Sequence, residues 1–313
     1  MRKVAELIFI TSCNFLLTVR NFLQLSVTMI FGDYRIETIS DTQIRLDGGA
    51  MFGVVPRVMW EKVCPPDELN RVALAANCLY VETATEKILF ETGAGEKLTE
   101  KQLQIYGMRR EKSLADNLFE TTGVAADEIS IVVNTHLHFD HCGGNTKFDE
   151  AGEIVPAFPN ARYFVPENEL KHAENPTDRD RATYNKDNWE VLRRTGQLEP
   201  KPPVYEVVKG ITMTEMRGHN AAMQTVKIKS GGEIFYSFSD LIPMTAHLPL
   251  PWIMSYDLFP METLANKRKL LPQALNENWL CWFYHDVETP LCRLAEIDGK
   301  LKAIKILKSS KHK

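Results

Sequence analysis

The stretch EISIVVNTHLHFDHCGG, from Glu128 to Gly144, decides the reading of this chain. Its first half, Glu128 to His136, is an apolar run that reads as a buried strand. Its second half holds His136, His138, Asp140 and His141, so three of the chain's eight histidines fall within six residues. A loop leaving a buried strand is held on a rigid support, which suits residues that carry chemistry. In an extended segment alternate residues share a side, so His136 and His138 can converge on one metal ion. The chain then turns, and Asp140 and His141 can face a second ion alongside. Gly143-Gly144 permits the tight backbone path that such packing needs.

Three more strand ends offer metal-capable side chains. His219 sits in RGHN after ITMTEMR, Asp240 closes EIFYSFSD, and His285 closes NWLCWFYHD. With the first cluster they make five histidines and two aspartates, a donor set suited to two divalent ions sharing a bridging carboxylate. Zinc is the expected metal, and manganese, iron or cobalt would accept the same donors.

The rest of the chain supplies two sheets. YRIETI and TQIRL, between Tyr34 and Leu46, alternate apolar and polar residues as half-buried strands do. NCLYVET (Asn77 to Thr83) and KILFET (Lys87 to Thr92) read as one hairpin, and QTVKIKS, Gly231-Gly232 and EIFYSFSD as another. ARYFVP, VYEVV and KLKAIKIL are further strands. Ser113 to Gly123 is predicted helical, and METLANKRKLLPQAL is a helix that Pro272 should end or kink. The polar, helical stretch from Glu167 to Arg194 is read as a lid or a dimer arm. Strand pairs preceding helices in both halves predict an α+β domain, two sheets with helices outside, over residues 29–313.

Composition narrows the function classes. The 313 residues carry a net charge of −4, which provides no broad cationic field and disfavours nucleic-acid binding. A hydrophobic share of 44% against 25% charged is that of a folded globular chain. The six cysteines form no CxxC motif and read as reduced thiols, with Cys142 a small buried side chain. Residues 1–28 form an N-terminal extension with three readings. These are a translation start at Met29, an export or anchor signal around Leu7 to Val19, and an extra packed helix. The uncharged run is too short to span a bilayer, so no stable membrane insertion is expected. The location is read as cytoplasmic, or exported if the segment is a true signal.

On the ordered set HxHxDH, His219, Asp240 and His285, the chain resembles the metallo-β-lactamase superfamily. MFGVVPRVMW, NRVALAANCLYVET and SDLIPMTAHLPLPWIMSYDLFP are similar to the branch of quorum-quenching lactonases and methyl-parathion-hydrolase-like enzymes. The resemblance implies an αββα four-layer sandwich with a dinuclear site at one edge of the sheets. It further implies that His136, His138 and His219 hold one metal, that Asp140, His141 and His285 hold the other, and that Asp240 bridges. Departures are visible: ETG at Glu91 replaces the usual DTG, NAAM follows His219, and no Tyr stands shortly after Asp240.

Two such ions with Asp140, Asp240 and a bridging hydroxide would keep a net charge of about +1. That arrangement makes a nucleophile at neutral pH and polarises a carbonyl. Hydrolysis of a lactone or other carboxylic ester is the predicted reaction, with Asp140 shuttling the proton to the leaving group. Phosphotriester hydrolysis and glyoxalase-II-like thioester hydrolysis are the alternatives. A flavodiiron-type oxidoreductase and a non-catalytic binding module are disfavoured. Phe52, Val55, Trp60, Phe139, Leu248 and Trp252 are expected to line an apolar pocket for a small hydrophobic substrate, with His247 as a hydrogen-bond donor there. A homodimer is an open possibility.

Overall fold

A computed structural model describes residues 29–306, so the N-terminal extension lies outside the described residues. The first sheet begins with β1 (Met29–Phe31), β2 (Tyr34–Asp47), β3 (Arg71–Glu82), β4 (Lys87–Phe90) and β5 (Ile131–Val133). A separate ribbon, β6 (Thr146–Phe148) and β7 (Ile154–Pro156), precedes the sheet's last strands, β8 (Arg162–Pro166) and β9 (Leu198–Lys201). The second sheet takes its seven strands in chain order: β10 (Val204–Val208), β11 (Ile211–Glu215), β12 (Gln224–Ser230), β13 (Glu233–Ser237), β14 (Leu280–Trp282), β15 (Leu291–Ile297) and β16 (Lys300–Lys305).

Alternation along the strands sends one set of apolar side chains between the sheets. Leu79, Val81, Phe90 and Val133 from the first sheet pack with Met213, Val226, Phe235 and Trp282 from the second. The opposite faces are covered by helices. Leu114 and Leu118 of the helix Leu114–Thr122 pack on Tyr80 and Leu89. Leu270, Leu271 and Ala274 of the helix Pro260–Asn276 pack near Tyr236, Cys281 and Leu294. Helices thus pack on the outer face of each sheet, the expected αββα sandwich.

Several local features follow from the sequence. Ser113 caps its helix by accepting from Asp116 N, and Gly123 ends it in the left-handed region. Residues Tyr34 to Leu46 form one strand with a register shift between Ser40 and Gln43, where two strands were expected. Pro272 does not end its helix, which runs on to Asn276. The carbonyl it frees belongs to Arg268, an exposed residue that water can reach. The run expected as a strand from Glu128 to His136 keeps strand geometry only over Ile131–Val133, and the histidines lie beyond it.

Strand direction places the site. β4 and β5 run parallel, and so do β13 and β14. β11 is antiparallel to β12, which is antiparallel to β13, so β11 shares the direction of β13. The segments bearing Glu91, His136, His219, Asp240 and His285 therefore all leave C-terminal strand ends on one edge of their sheets.

Candidate metal centre

Backbone hydrogen bonds fix the loops that carry these side chains. Thr92 N donates to His141 O at 2.8 Å, Ala75 N to His285 O at 3.1 Å, and Leu258 N to His219 O at 2.9 Å. Gly143 and Gly144 are needed for close approach. A Cβ on Gly143 would lie 2.2 Å from Ala94 O, and one on Gly144 2.2 Å from Thr92 O. Larger residues there would push the histidine loop off the loop that follows Glu91.

Two sets of donor atoms frame Asp240. Those of His136, His138 and His219 lie within 4.8 Å of one another, as do those of Asp140, His141 and His285; Glu91, His136 and His141 form a third group within the same limit. Asp240 stands between the sets. Its Oδ1 is 3.3 Å from both His141 Nε2 and His285 Nε2, and its Oδ2 is 3.4 Å from His219 Nε2 and 3.9 Å from His136 Nε2. Asp140 Oδ2 lies 3.6 Å from His285 Nε2. Burial raises the cost of charge on Asp240, yet His141 and His285 hold its carboxyl well below the usual carboxylate range. Burial, reinforced by neighbouring histidines, keeps His136 and His138 neutral, the form that ligates metals.

The donor set fits divalent ions. His136 Nε2, His138 Nε2, His141 Nε2 and Asp240 Oδ1 are buried without a hydrogen bond among the described residues. Buried polar atoms are normally paired, so this concentration of lone pairs demands a cation.

The other ring nitrogens are oriented by neighbours. His219 Nδ1 faces Asp257 Oδ1 at 3.0 Å, His285 Nδ1 faces Ala75 O at 2.9 Å, and His141 Nδ1 faces Glu91 Oε1 at 3.3 Å. Glu91 also accepts from Thr135 N at 3.2 Å and from the Thr135 hydroxyl. Glu91 itself adopts a positive φ of 63°. Partners of this kind fix ring tautomer and basicity. Asp257 carried no signal in the sequence, since its partner is distant in the chain.

The donors open into a cavity of about 410 Å³. Of the residues expected to line a substrate pocket, Phe139 lines it, stacked on Tyr106 at 4.6 Å between ring centroids. The other six do not. Phe52 is sandwiched between Trp60 at 5.3 Å and His247 at 4.8 Å, with Trp252 edge-on to it. Val55 packs in the same core and Leu248 in the core beside the last helix. His247 Nε2 donates to Met51 O at 2.8 Å, so that ring has spent its donor on the scaffold. Apolar size drew these residues forward in the sequence, but their rings satisfy one another beneath the cavity. Its walls are instead Leu46, Met51, Leu74, Tyr106, Met254 and Tyr256, with Arg179 and Thr183 from the polar Glu167–Arg194 stretch.

Residues 71–221 match the family described as the Metallo-beta-lactamase superfamily. An N-acyl homoserine lactonase of Bacillus thuringiensis is 23% identical over 237 residues, covering 67% of this chain and 81% of its own. The crystal structure of a probable metal-dependent hydrolase from Staphylococcus aureus is 29% identical. It has a TM-score of 0.81 and covers 90% of this chain and 99% of its own. AidC, a dizinc quorum-quenching lactonase, shares the fold with a TM-score of 0.73 at 18% identity, over 90% of this chain and 97% of its own. The matched segment contains the histidine cluster and His219. Residues 71–221 form a metallo-beta-lactamase superfamily domain, and the chain is a metal-dependent hydrolase.

Proposed function

We propose that this hydrolase works with two divalent ions, zinc foremost, and opens lactones or other carboxylic esters. The observation that carries the reading is Asp240, whose two oxygens each face one set of histidines across a single buried centre. Bound there, the ions supply Lewis-acid polarisation of a carbonyl and a water nucleophile at neutral pH. His136, His138 and His219 would hold one ion, and Asp140, His141 and His285 the other, with Asp240 shared.

The chain's own residues supply the rest. Asp140 lines the cavity and carries the proton to the leaving-group oxygen. Phe139 and Tyr106 form an aromatic wall that, with Met51, Leu74 and Met254, excludes water from an apolar acyl part. The curated relatives named N-acyl homoserine lactonases support a lactone as the first substrate to try.

The zinc-loaded full chain is to be assayed on acyl-homoserine lactones, aryl esters, a phosphotriester and a glutathione thioester. Lactone or ester turnover that chelation abolishes supports the reading. Turnover of the triester or thioester alone moves the substrate class, and no turnover of any overturns it.

A further inference from the structure

We infer that Arg179 is a specificity residue that recognises a carboxylate on the acyl part of the substrate, an inference resting on the ester-hydrolase reading above. Arg179 lines the same cavity as His138, Asp140, His219 and His285. Among the described lining residues it is the one Lys or Arg side chain. Its guanidinium donates from Nη2 to Ser255 O, a neutral carbonyl, and no carboxylate pairs with it among the described residues. Neighbouring Asp180 is engaged elsewhere, by His172 Nε2 at 2.5 Å and by the Thr177 hydroxyl at 2.6 Å.

Arg179 is exposed, and a guanidinium has five N–H donors in a fixed fork, so one bond to Ser255 leaves donors free for a ligand. Such a fork matches a carboxylate, which takes two parallel bonds from it. The same cavity has apolar lining from Met51, Leu74 and Met254. A substrate using both features has a short hydrocarbon body, a hydrolysable ester at the histidines and an anionic end at Arg179. The bond to Ser255 also ties the Glu167–Arg194 stretch to the segment bearing Tyr256, so a purely structural role for Arg179 is the competing account.

The test uses two 4-nitrophenyl esters of equal chain length, the monoester of glutarate and the ester of pentanoate, on the zinc-loaded full chain. The predicted result is that Arg179→Ala lowers the ratio of kcat/KM for the anionic over the neutral ester by about fivefold or more. Raising salt should shrink that ratio in the wild type and not in the variant. Arg179→Lys should retain part of it. An unchanged ratio, with both esters slowed equally, overturns the inference and leaves a structural role. Calorimetry with glutarate and pentanoate reads binding without turnover. If neither ester is hydrolysed but Arg179→Ala still weakens glutarate selectively, the inference stands and the ester-hydrolase reading fails.

Discussion

Asp257 Oδ1 lies 3.0 Å from His219 Nδ1, and Asp257 Oδ2 accepts from the Thr263 hydroxyl at 2.6 Å. The ring nitrogen of His219 that faces away from the histidine cluster is therefore held by a carboxylate that is itself held by the last helix. Burial opposes a proton on His219, but Asp240 and Asp257 together raise its pKa. Asp257→Ala should weaken zinc binding by about 10–100-fold, read by chelator competition, with the fold retained by circular dichroism.

In the proposed reaction Asp140 is the group that moves a proton. Asp140→Asn keeps the shape and an oxygen donor but removes the basic site. Steady-state kinetics should show kcat lower by about 100-fold or more with KM within a few-fold. Equal kcat would remove Asp140 from that role.

Lys267 tests how the cavity's outer segment is held. Its buried ammonium donates to His247 O at 2.6 Å, Pro249 O at 2.8 Å and Trp252 O at 2.8 Å. Three donors thus meet three carbonyls, on the segment leading to Met254, Tyr256 and Asp257. Lys267→Met leaves those carbonyls unpaired and should cost about 3 kcal/mol, read as a lower urea midpoint.

His247 sets a pH dependence. Burial, aided by the nearby Lys267 charge, pushes its pKa down to about 4 despite the hydrogen bond to Met51 O. The unfolded side chain takes up a proton near pH 6.5 while the folded one stays neutral. Stability is therefore lost as pH falls from about 6.5 towards 4, and the loss saturates once both states are protonated. Urea titrations of the wild type and His247→Gln at pH 7.5 and 4.5 check this: the gap between them should narrow at the lower pH.

The metal-capable residues were legible because each follows an apolar strand, and strand ends are visible in a sequence. HLHFDHCGG also announced its tight turn, which Gly143 and Gly144 make against Ala94 and Thr92. The pocket walls were not legible. Phe52, Trp60 and Trp252 have the composition of a binding surface, but whether a ring faces a cavity or another ring depends on packing between distant segments. Asp257 and Arg179 were missed for the same reason, since their partners His219 and Ser255 are far away in the chain.

The most direct test of the account counts ions. Full-length protein stripped by a chelator is to be dialysed against zinc and analysed for metal per chain, beside His285→Ala. Two zinc ions in the wild type and about one in the variant are predicted. A wild type that saturates at one ion or none, with its fold intact, would contradict the shared centre around Asp240.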